Sequence, residues 1–406
     1  MQLLKMNGIT RIALIIGILS PLALGGQTLE NHREPYRRSS LYSLLINQRD
    51  RAFSRDIRDA YLEIPVPDKF NDHNLSVRVL TTTGNDAADI ERFLSDNQVA
   101  SRLVARWFNR DKLTGECNMD LIAERGLYNA SEFDKKMASQ TFRGEAMLMD
   151  SGEDLIENTF VVVNDIRYVD REKAGAAAAI TISILGALAS MVTGQNFADL
   201  ANGLGNIAMS YKGFKVSITS YLYRLEWNDE TAGTFYKTQY SPVPDAEKAA
   251  AFEAGRSAYR LKYVGKCESA GKDISFMGIN ETSPKTMVLK ACRRGLDDNI
   301  ATLQKSFPEF RTRTPFAGLS PITAYLGLKD GVNEKSRFEV LEACEDANGK
   351  ISYKRVGIVK PVPGLIWDNR YMAVEEGAPN ASLGYTTFTK ISGGEFMQGM
   401  LLHEID

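Results

Sequence analysis

Apolar residues recur at helical intervals in the first quarter of the chain. Two stripes have a spacing of four: Phe53, Ile57 and Tyr61, then Val99, Leu103 and Trp107. This spacing places side chains on one face of a helix. The pattern therefore predicts an amphipathic helix in the arginine-rich start, ended by Pro65 and Pro67, and a second helix over roughly residues 86–110.

Alternating positions predict strands further along the chain. Residues 159–163 have the composition of a buried strand, and residues 214–227 alternate apolar and polar side chains. A turn at 228–233 and a return at 234–240 then predict a hairpin. We expect the strands around 159–168 and 214–227 to pair, with an apolar segment inserted between them.

These patterns together predict an α+β fold, with a helical N-terminal part, a central mixed α/β region carrying an apolar helical insertion, and a C-terminal small β-barrel. The barrel is inferred from short strands around an Asn348-Gly349 turn. We expect five segments: 1–25 signal peptide, 26–150 helix-rich N-terminal region, 151–245 β region with the apolar insertion 174–211, 246–315 mixed α/β, and 316–406 small β-barrel.

The apolar insertion has an unusual composition. Residues 174–198 carry no charge, and Asp199 is the one charged residue between 174 and 211. The stretch Ala174–Gly194 is long enough to span a bilayer as a helix, and its many small residues permit close helix contact. Three interpretations stay open: a transmembrane helix, a buried or paired helix in an assembly, or an apolar segment that meets a membrane or partner after assembly.

The first residues have the features of an export signal. Lys5 and Arg11 precede an apolar run over 12–24, which ends in small residues. We expect 1–25 to be a cleaved signal peptide, and the alternative is a membrane anchor. Removing its two cations from the 49 basic residues leaves 47 against 51 acidic ones, a net charge of −4.

Composition limits the chemistry that the chain can support. The whole chain has a net charge of −2, which argues against a dedicated nucleic-acid binder. Four cysteines without short spacing exclude a zinc ribbon: Cys117, Cys267, Cys292 and Cys344. In an oxidising compartment three pairings are open. A free buried thiol is expected at Cys292, and Cys267–Cys292 is the first candidate if any pair forms.

Motifs for catalysis or cofactor binding are incomplete. The glycine-rich residues 265–273 have the wrong spacing for a phosphate loop. Asp273 stands where a phosphate loop has a Ser or Thr hydroxyl. Asp68, Asp72 and His73 lie in one predicted loop, where loop polarity is preferred over a weak metal site. Arg102, Arg106 and Arg110 form a basic stripe that we expect to face solvent. No catalytic, cofactor-binding or metal residue is assigned.

Parts of the chain resemble known groups of proteins. The stretches GLKDGVNEKSRFEVLE, NGK and RVGIV resemble the small SH3-like barrel modules that end several bacterial envelope-assembly proteins. RRSSLYSLLI and IPVPDKFNDHN resemble exported proteins of unknown function from Bacteroidetes-type bacteria. The first resemblance implies a barrel, and the second implies a location and no activity.

The sequence thus predicts an exported, non-enzymatic cell-envelope protein that acts in assembly or membrane-associated interaction. We expect it in the periplasm or at the outer membrane, with anchoring through 174–194 as an open alternative. Expected partners are other envelope proteins or a second copy bound through Ala174–Gly194, and no nucleic acid. Two rival hypotheses are an exported enzyme, such as a hydrolase with a site built from scattered residues, and an oligomeric pore or secretion component using the hairpin 214–240.

Overall fold

Two β-sheets organise the chain in the computed structural model. The structure describes residues 39–81, 86–129, 152–169, 214–268, 283–345 and 351–405. All of these belong to one compact unit, residues 35–406. The predicted signal peptide 1–25 and the predicted insertion 174–211 lie outside the described residues.

The first sheet has a strand from the N-terminal region at its centre. Its strands are β1 Ser40–Ile46, β2 Asn71–Asp72, β3 Val79–Leu80, β4 Thr159–Tyr168, β5 Val216–Leu225 and β6 Leu261–Glu268. The order is β2-β1-β4-β5-β6, and β3 also pairs with β1. β1 is parallel to β2, β3 and β4, whereas β4-β5 and β5-β6 are antiparallel. The expected pairing of the strands around 159–168 and 214–227 is confirmed, with Val163 opposite Tyr221.

Helices cover both faces of this sheet. The described helices are α1 Ser54–Glu63, α2 Ala87–Asp96, α3 Val99–Trp107, α4 Asp120–Asn129, α5 Asp229–Thr238, α6 Ala246–Gly255 and α7 Pro284–Ser306. Successive strand side chains point to opposite faces. Val161 and Val163 accordingly pack with α2 and α3, while Phe160 and Val162 pack on the side of α7.

The second sheet contains the C-terminal strands. They are β7 Arg313–Leu319, β8 Ile322–Ala324, β9 Arg337–Glu345, β10 Ile351–Pro361, β11 Thr386–Gly393 and β12 Leu401–Ile405. The hydrogen-bonded order β10-β11-β8-β7-β12-β9 closes on itself. Phe316, Phe338, Val340, Phe388 and Leu402 form part of its core.

The predicted architecture is wrong. The described residues form an α+β fold of seven helices and two sheets, rather than a helical part, a central region and an appended small barrel. The N-terminal region supplies β1, because the apolar run Ser40–Ile46 pairs in parallel with β4. The second sheet is joined to the first through α7, where Glu376 forms ion pairs with Lys290 and Arg294.

Two local predictions are also corrected. The predicted hairpin at 214–240 is a strand followed by α5, because the Asn228 side chain accepts a hydrogen bond from Thr231 N and caps a helix. The predicted helix over 86–110 is divided into α2 and α3 at Gln98, whose φ of 52° ends the regular helix. The stripe Val99, Leu103 and Trp107 is buried as expected.

Candidate functional site

The outer edge of the first sheet borders a groove of about 700 Å³. β6 is the last strand in the sheet order, and among the described residues it pairs with β5 alone. The opposite wall comes from α2 and α3, including Leu94 and Val99. A terminal strand presents backbone N–H and C=O groups on its outer side. The groove is therefore lined by residues of α2, α3 and the first part of β6.

Charged side chains of both signs line the groove: Glu91, Asp96, Glu226, Arg256, Arg260 and Lys262. The Arg256 guanidinium is engaged, since it donates to Gln98 Oε1 at 2.7 Å and to Glu253 Oε1 at 2.9 Å. Tyr263 is 36% exposed, and burial raises the pKa of its hydroxyl. Because three acids face three bases, the groove does not select strongly for one sign of charge.

Two features of β6 limit how far another strand can pair along its outer edge. Val264 forms a bulge between Tyr263 and Gly265, and Lys262 and Lys266 place charges along the edge. Bulges and lysines at sheet edges limit edge-to-edge association. Gly265 is needed at this bulge, because a Cβ there would lie 2.2 Å from the Phe307 ring.

A second cavity, of about 40 Å³, lies where the two sheets meet. We call this meeting place the seam: α7, the loop 64–70, and the turn 328–330 that follows β8. The cavity has room for a few water molecules and not for a larger ligand. Tyr61, Arg78, Asp297 and Lys329 contribute polar groups to its walls.

A fixed hydrogen-bond network forms one wall of this cavity. Ser43 Oγ lies 2.6 Å from Tyr61 Oη and accepts from Asn164 Nδ2 at 3.2 Å. Ser220 Oγ donates to Asn164 Oδ1 at 2.7 Å, and Asn299 Nδ2 donates to Ser220 Oγ at 2.9 Å. Because Ser43 is engaged with a phenol and an amide, neither of which is a general base, its position is that of a structural hydroxyl.

Asp297 is the most perturbed acid at the seam. Burial raises the pKa of its carboxyl to about 7, against the opposing influence of Lys329 and Arg293. Such values are common at functional sites and also occur in structural clusters. No described side chain forms a hydrogen bond or an ion pair with this carboxylate. Burial therefore favours the protonated form of Asp297 at the junction of the two sheets.

The loop that contains IPVPDKFNDHN connects several parts of the fold. Asp68 pairs with Lys329 at 3.1 Å, and Lys69 pairs with Asp330 at 2.9 Å. The Phe70 ring stacks on Phe310 with centroids 5.0 Å apart. This segment therefore joins the first sheet to the turn 328–330 of the second. Its charged and aromatic residues are explained by these contacts.

The structure does not bring together the loop residues considered as a weak metal site. Asp68 binds Lys329, Asp72 is exposed, and His73 is buried. No group of three or more metal-binding side chains occurs within the described ranges. His73 Nε2 lies 3.0 Å from Leu103 O, and His73 Nδ1 lies 2.9 Å from an Arg125 nitrogen.

These partners define the state of His73. Arg125 can only donate, so Nδ1 accepts and Nε2–H donates to the carbonyl. Burial, followed by the charge of Arg125, lowers the pKa of His73 well below its usual range. His73 is thus a neutral residue that positions Arg125.

The basic stripe does not face solvent as expected. Arg106 donates to Asn74 O and Asp72 O, and the buried Arg110 guanidinium lies 4.2 Å from the Phe252 ring centroid. The expectation failed because Arg106 reaches the backbone of Asp72 and Asn74, and Arg110 packs on α6, both distant in sequence. Arg125 and Asp297 were missed for the same reason, since their significance depends on partners more than 30 residues away.

The four cysteines are free thiols, so the candidate pair Cys267–Cys292 is not formed. Cys292 lies in the core between α1, α7 and the first sheet, whereas Cys267 packs in a different cluster and lies against Asn299 O. Burial raises the pKa of both thiols to about 12, which makes them unreactive. Gly265 to Glu268 of the rejected phosphate loop lie in β6, and 269–273 are outside the described residues.

Comparison with known proteins assigns no family to the chain. No protein-family model matches it, and no curated protein matches it. Within the described ranges, no helix is both long and apolar enough to cross a membrane.

Proposed function

We propose that the chain is an exported, non-enzymatic cell-envelope protein that acts in assembly by binding an extended segment of another protein beside β6. The groove of about 700 Å³ at the start of this edge strand, lined there by Leu261, Lys262 and Tyr263, is the observation that carries the proposal. An added strand gains affinity from main-chain hydrogen bonds and specificity from alternate side chains. Export is supported by the charged and apolar pattern of residues 1–25.

The lining of the groove suits a short extended segment of a polypeptide. Its mixed charges suit a segment that carries both signs, and the Val264 bulge limits the paired stretch to the part of β6 before it. Tyr263 offers an exposed aromatic ring beside the backbone edge. Aromatic side chains are enriched at protein interfaces.

A photo-crosslinking residue in place of Tyr263, in the cells that make the protein, tests this proposal. A defined adduct with a second protein is expected, and its crosslinked peptide should map to one continuous segment. The matched control places the same residue at Tyr385, which is 40% exposed on the second sheet. Identical adducts at both positions, or none at Tyr263, would contradict the proposal.

A charge reversal gives an independent measurement. The double variant Arg260→Glu and Lys262→Glu should reduce the Tyr263 adduct by about tenfold, since changing interfacial charges shifts affinity by on the order of 1 kcal/mol or more. Lys354→Glu, an exposed change on β10, is the control and should leave the yield unchanged.

Membrane association and self-assembly through Ala174–Gly194 stay predictions. Deleting this segment should lower the mass measured by light scattering if it joins copies of the chain. Carbonate extraction separates an anchored form from a released one. The mature protein should begin at residue 26 when its N-terminus is sequenced.

The enzyme hypothesis has weaker support than protein binding. A deep pocket with convergent carboxylates and a buried His73 would favour it. His73 is buried, but its partners are Arg125 and a backbone carbonyl, and the seam cavity near Asp297 has a volume of about 40 Å³.

A further inference from the structure

We propose that the groove beside β6 selects a segment in which basic and acidic residues alternate, with the basic side chains turned toward α2 and the acidic ones toward the α7 side of the sheet. This inference rests on the proposed function, because it names the chemistry of the segment that binds at this edge. The order of the charges along the segment, rather than their sum, is what the groove distinguishes.

The backbone of two β6 residues faces the groove. Arg260 O accepts a hydrogen bond from Glu226 N at 3.0 Å, so the backbone groups of Arg260 point toward β5. Backbone groups in an antiparallel pair alternate in direction, and Leu261 and Tyr263 therefore present their N–H and C=O groups on the outer side. Among the described residues no strand pairs with β6 on that side. An added strand can form main-chain hydrogen bonds there before the bulge.

The side chains at this edge divide between the two faces of the sheet. Tyr263 belongs to the α2 side, because its ring centroid lies 5.3 Å from that of Tyr223, which packs in the same cluster as α2. Lys262 belongs to the α7 side, since it lies opposite Arg224, whose guanidinium is 5.9 Å from the Phe160 ring centroid. Successive side chains of an added strand divide in the same way.

The side of the groove toward α2 is acidic. Glu91 and Asp96, both on α2, line the groove and are exposed. No described side chain forms an ion pair with either carboxylate. The Arg256 guanidinium is held by Glu253 and Gln98 and is not available to them. Side chains of a bound segment that point toward α2 therefore meet two uncompensated acids.

The side toward α7 carries one basic charge in excess. Glu226 lies opposite Arg260, because its N–H donates to the Arg260 carbonyl, so these two charges offset each other. Lys262 is exposed, and within the described ranges no acid forms an ion pair with it. Side chains that point to this side therefore meet a lysine, which favours an acid at that position.

This division makes the sequence of charges decisive. The groove has acids and bases in equal number, so the net charge of a segment has little influence on binding. An extended segment with alternating signs presents one sign on each face, whereas a segment with paired like charges presents both signs on both faces. The second kind places a lysine beside Lys262 or a glutamate beside α2, which costs affinity.

Two labelled peptides of equal composition test the selection. One is a Lys-Glu repeat about eight residues long, and the other is a Lys-Lys-Glu-Glu repeat of the same length. Binding to the full chain is measured by fluorescence anisotropy at low salt, where exposed charges are least screened. The alternating peptide should bind about fivefold more tightly. Equal affinities, or no binding of the alternating peptide, would overturn the proposal.

Charge reversals on the two sides of the groove sharpen the test. Glu91→Lys with Asp96→Lys should abolish the preference for the alternating peptide, because both sides are then basic. Adding Lys262→Glu should restore it, since the peptide can shift by one residue and present its glutamates to α2. Circular dichroism verifies that both variants fold, and Lys354→Glu, an exposed change on β10, should leave the preference intact. A preference that survives the first variant, or does not return in the second, would contradict the selection.

The crosslink at Tyr263 separates this inference from the proposed function. An adduct whose mapped segment alternates basic and acidic residues supports both. An adduct whose segment lacks this alternation would overturn the inference and leave partner binding at β6 intact. The absence of an adduct at Tyr263 would contradict the proposed function and, with it, this inference.

Discussion

Lys69 Nζ lies 2.9 Å from Asp330 Oδ1, and this pair joins the loop after α1 to the turn after β8. Asp330 also accepts hydrogen bonds from Gly327 N and Asn369 Nδ2, both at 2.8 Å. The carboxylate is thus compensated on both oxygens although it is buried. One acid therefore fixes the turn internally and binds it to the first sheet.

Replacing Lys69 by methionine should destabilise the protein, because it leaves the Asp330 charge buried without its closest cation. Breaking a buried pair costs about 3–5 kcal/mol, and we expect the lower end because two donors remain. The measurement is urea unfolding at neutral pH. Lys354→Met, at an exposed position, is the control. A loss no larger than that of the control would contradict the role given to Lys69.

This pair also predicts an acid dependence. Burial opposes the charge of Asp330, but Lys69 and Lys329 outweigh it and lower its pKa. A lowered pKa contributes stability above the pKa of the unfolded chain, and this contribution is lost as pH falls. The acid-induced loss of stability should therefore be smaller in Lys69→Met than in the unmodified protein.

Arg125 should be essential for stability, because its guanidinium satisfies several buried acceptors. It donates to Ser40 Oγ at 2.7 Å, to His73 Nδ1 and to Asp72 O, and it lies 4.2 Å from the Trp107 ring centroid. Each buried group left unsatisfied costs about 1–3 kcal/mol. Arg125→Met should lower the free energy of unfolding by about 3 kcal/mol or more in thermal or urea unfolding.

A matched arginine provides the comparison for this variant. Arg92, with a side chain 70% exposed, should tolerate the same change to methionine within about 0.5 kcal/mol. Equal effects of the two variants would show that Arg125 does not hold the buried network together.

His73 predicts a separate loss of stability in acid. Burial lowers its pKa well below the usual value, so the unfolded chain binds a proton that the folded chain excludes. Stability should therefore fall as pH drops below about 6.5, the ordinary pKa of histidine. His73→Gln should reduce this slope in unfolding curves measured across the range. An unchanged slope would mean that another group accounts for it.

Local sequence patterns predicted those elements whose buried face is set by the spacing of apolar residues within the element itself. The Val99, Leu103 and Trp107 stripe and the β4-β5 pairing are of this kind. β1 was missed because Ser40–Ile46 follows an arginine-rich segment, and its pairing with β4 spans about 120 residues. α5 was missed because the Asn228 cap has the same local composition as a hairpin turn.

The groove and the seam could not be predicted from the sequence, and the reason differs from that for β1 and α5. Asp297 and Lys329 belong to α7 and the turn after β8, and the raised pKa of Asp297 comes from their packing. The groove exists because β6 ends the sheet order, which no local pattern encodes. The sequence predicts loop polarity for Asp68, Asp72 and His73 in preference to a weak metal site, and neither interpretation includes the ion pair between Asp68 and Lys329.

Asp297→Asn should stabilise the protein at alkaline pH. Burial raises the pKa of Asp297 to about 7, far above that of an unfolded aspartate, so the folded chain retains a proton that the unfolded chain releases. Stability therefore falls as pH rises toward 7. Because Asp297 is partly exposed, we expect a gain of about 1–3 kcal/mol at about pH 8 and little difference at about pH 4, near the pKa of an unfolded aspartate. The same gain at both pH values would exclude titration of Asp297 as its cause.

Two glycine substitutions should have opposite effects. Gly265→Ala in β6 should destabilise the protein by about 1–3 kcal/mol, because the new Cβ would lie 2.2 Å from the Phe307 ring and overpack this contact. Gly233→Ala lies within α5 and meets no atom within 4 Å. It should stabilise the protein by about 0.5–1 kcal/mol through helix propensity. Thermal unfolding of both variants against the unmodified chain measures the two effects, and a neutral Gly265→Ala would show that Phe307 can move away from the bulge.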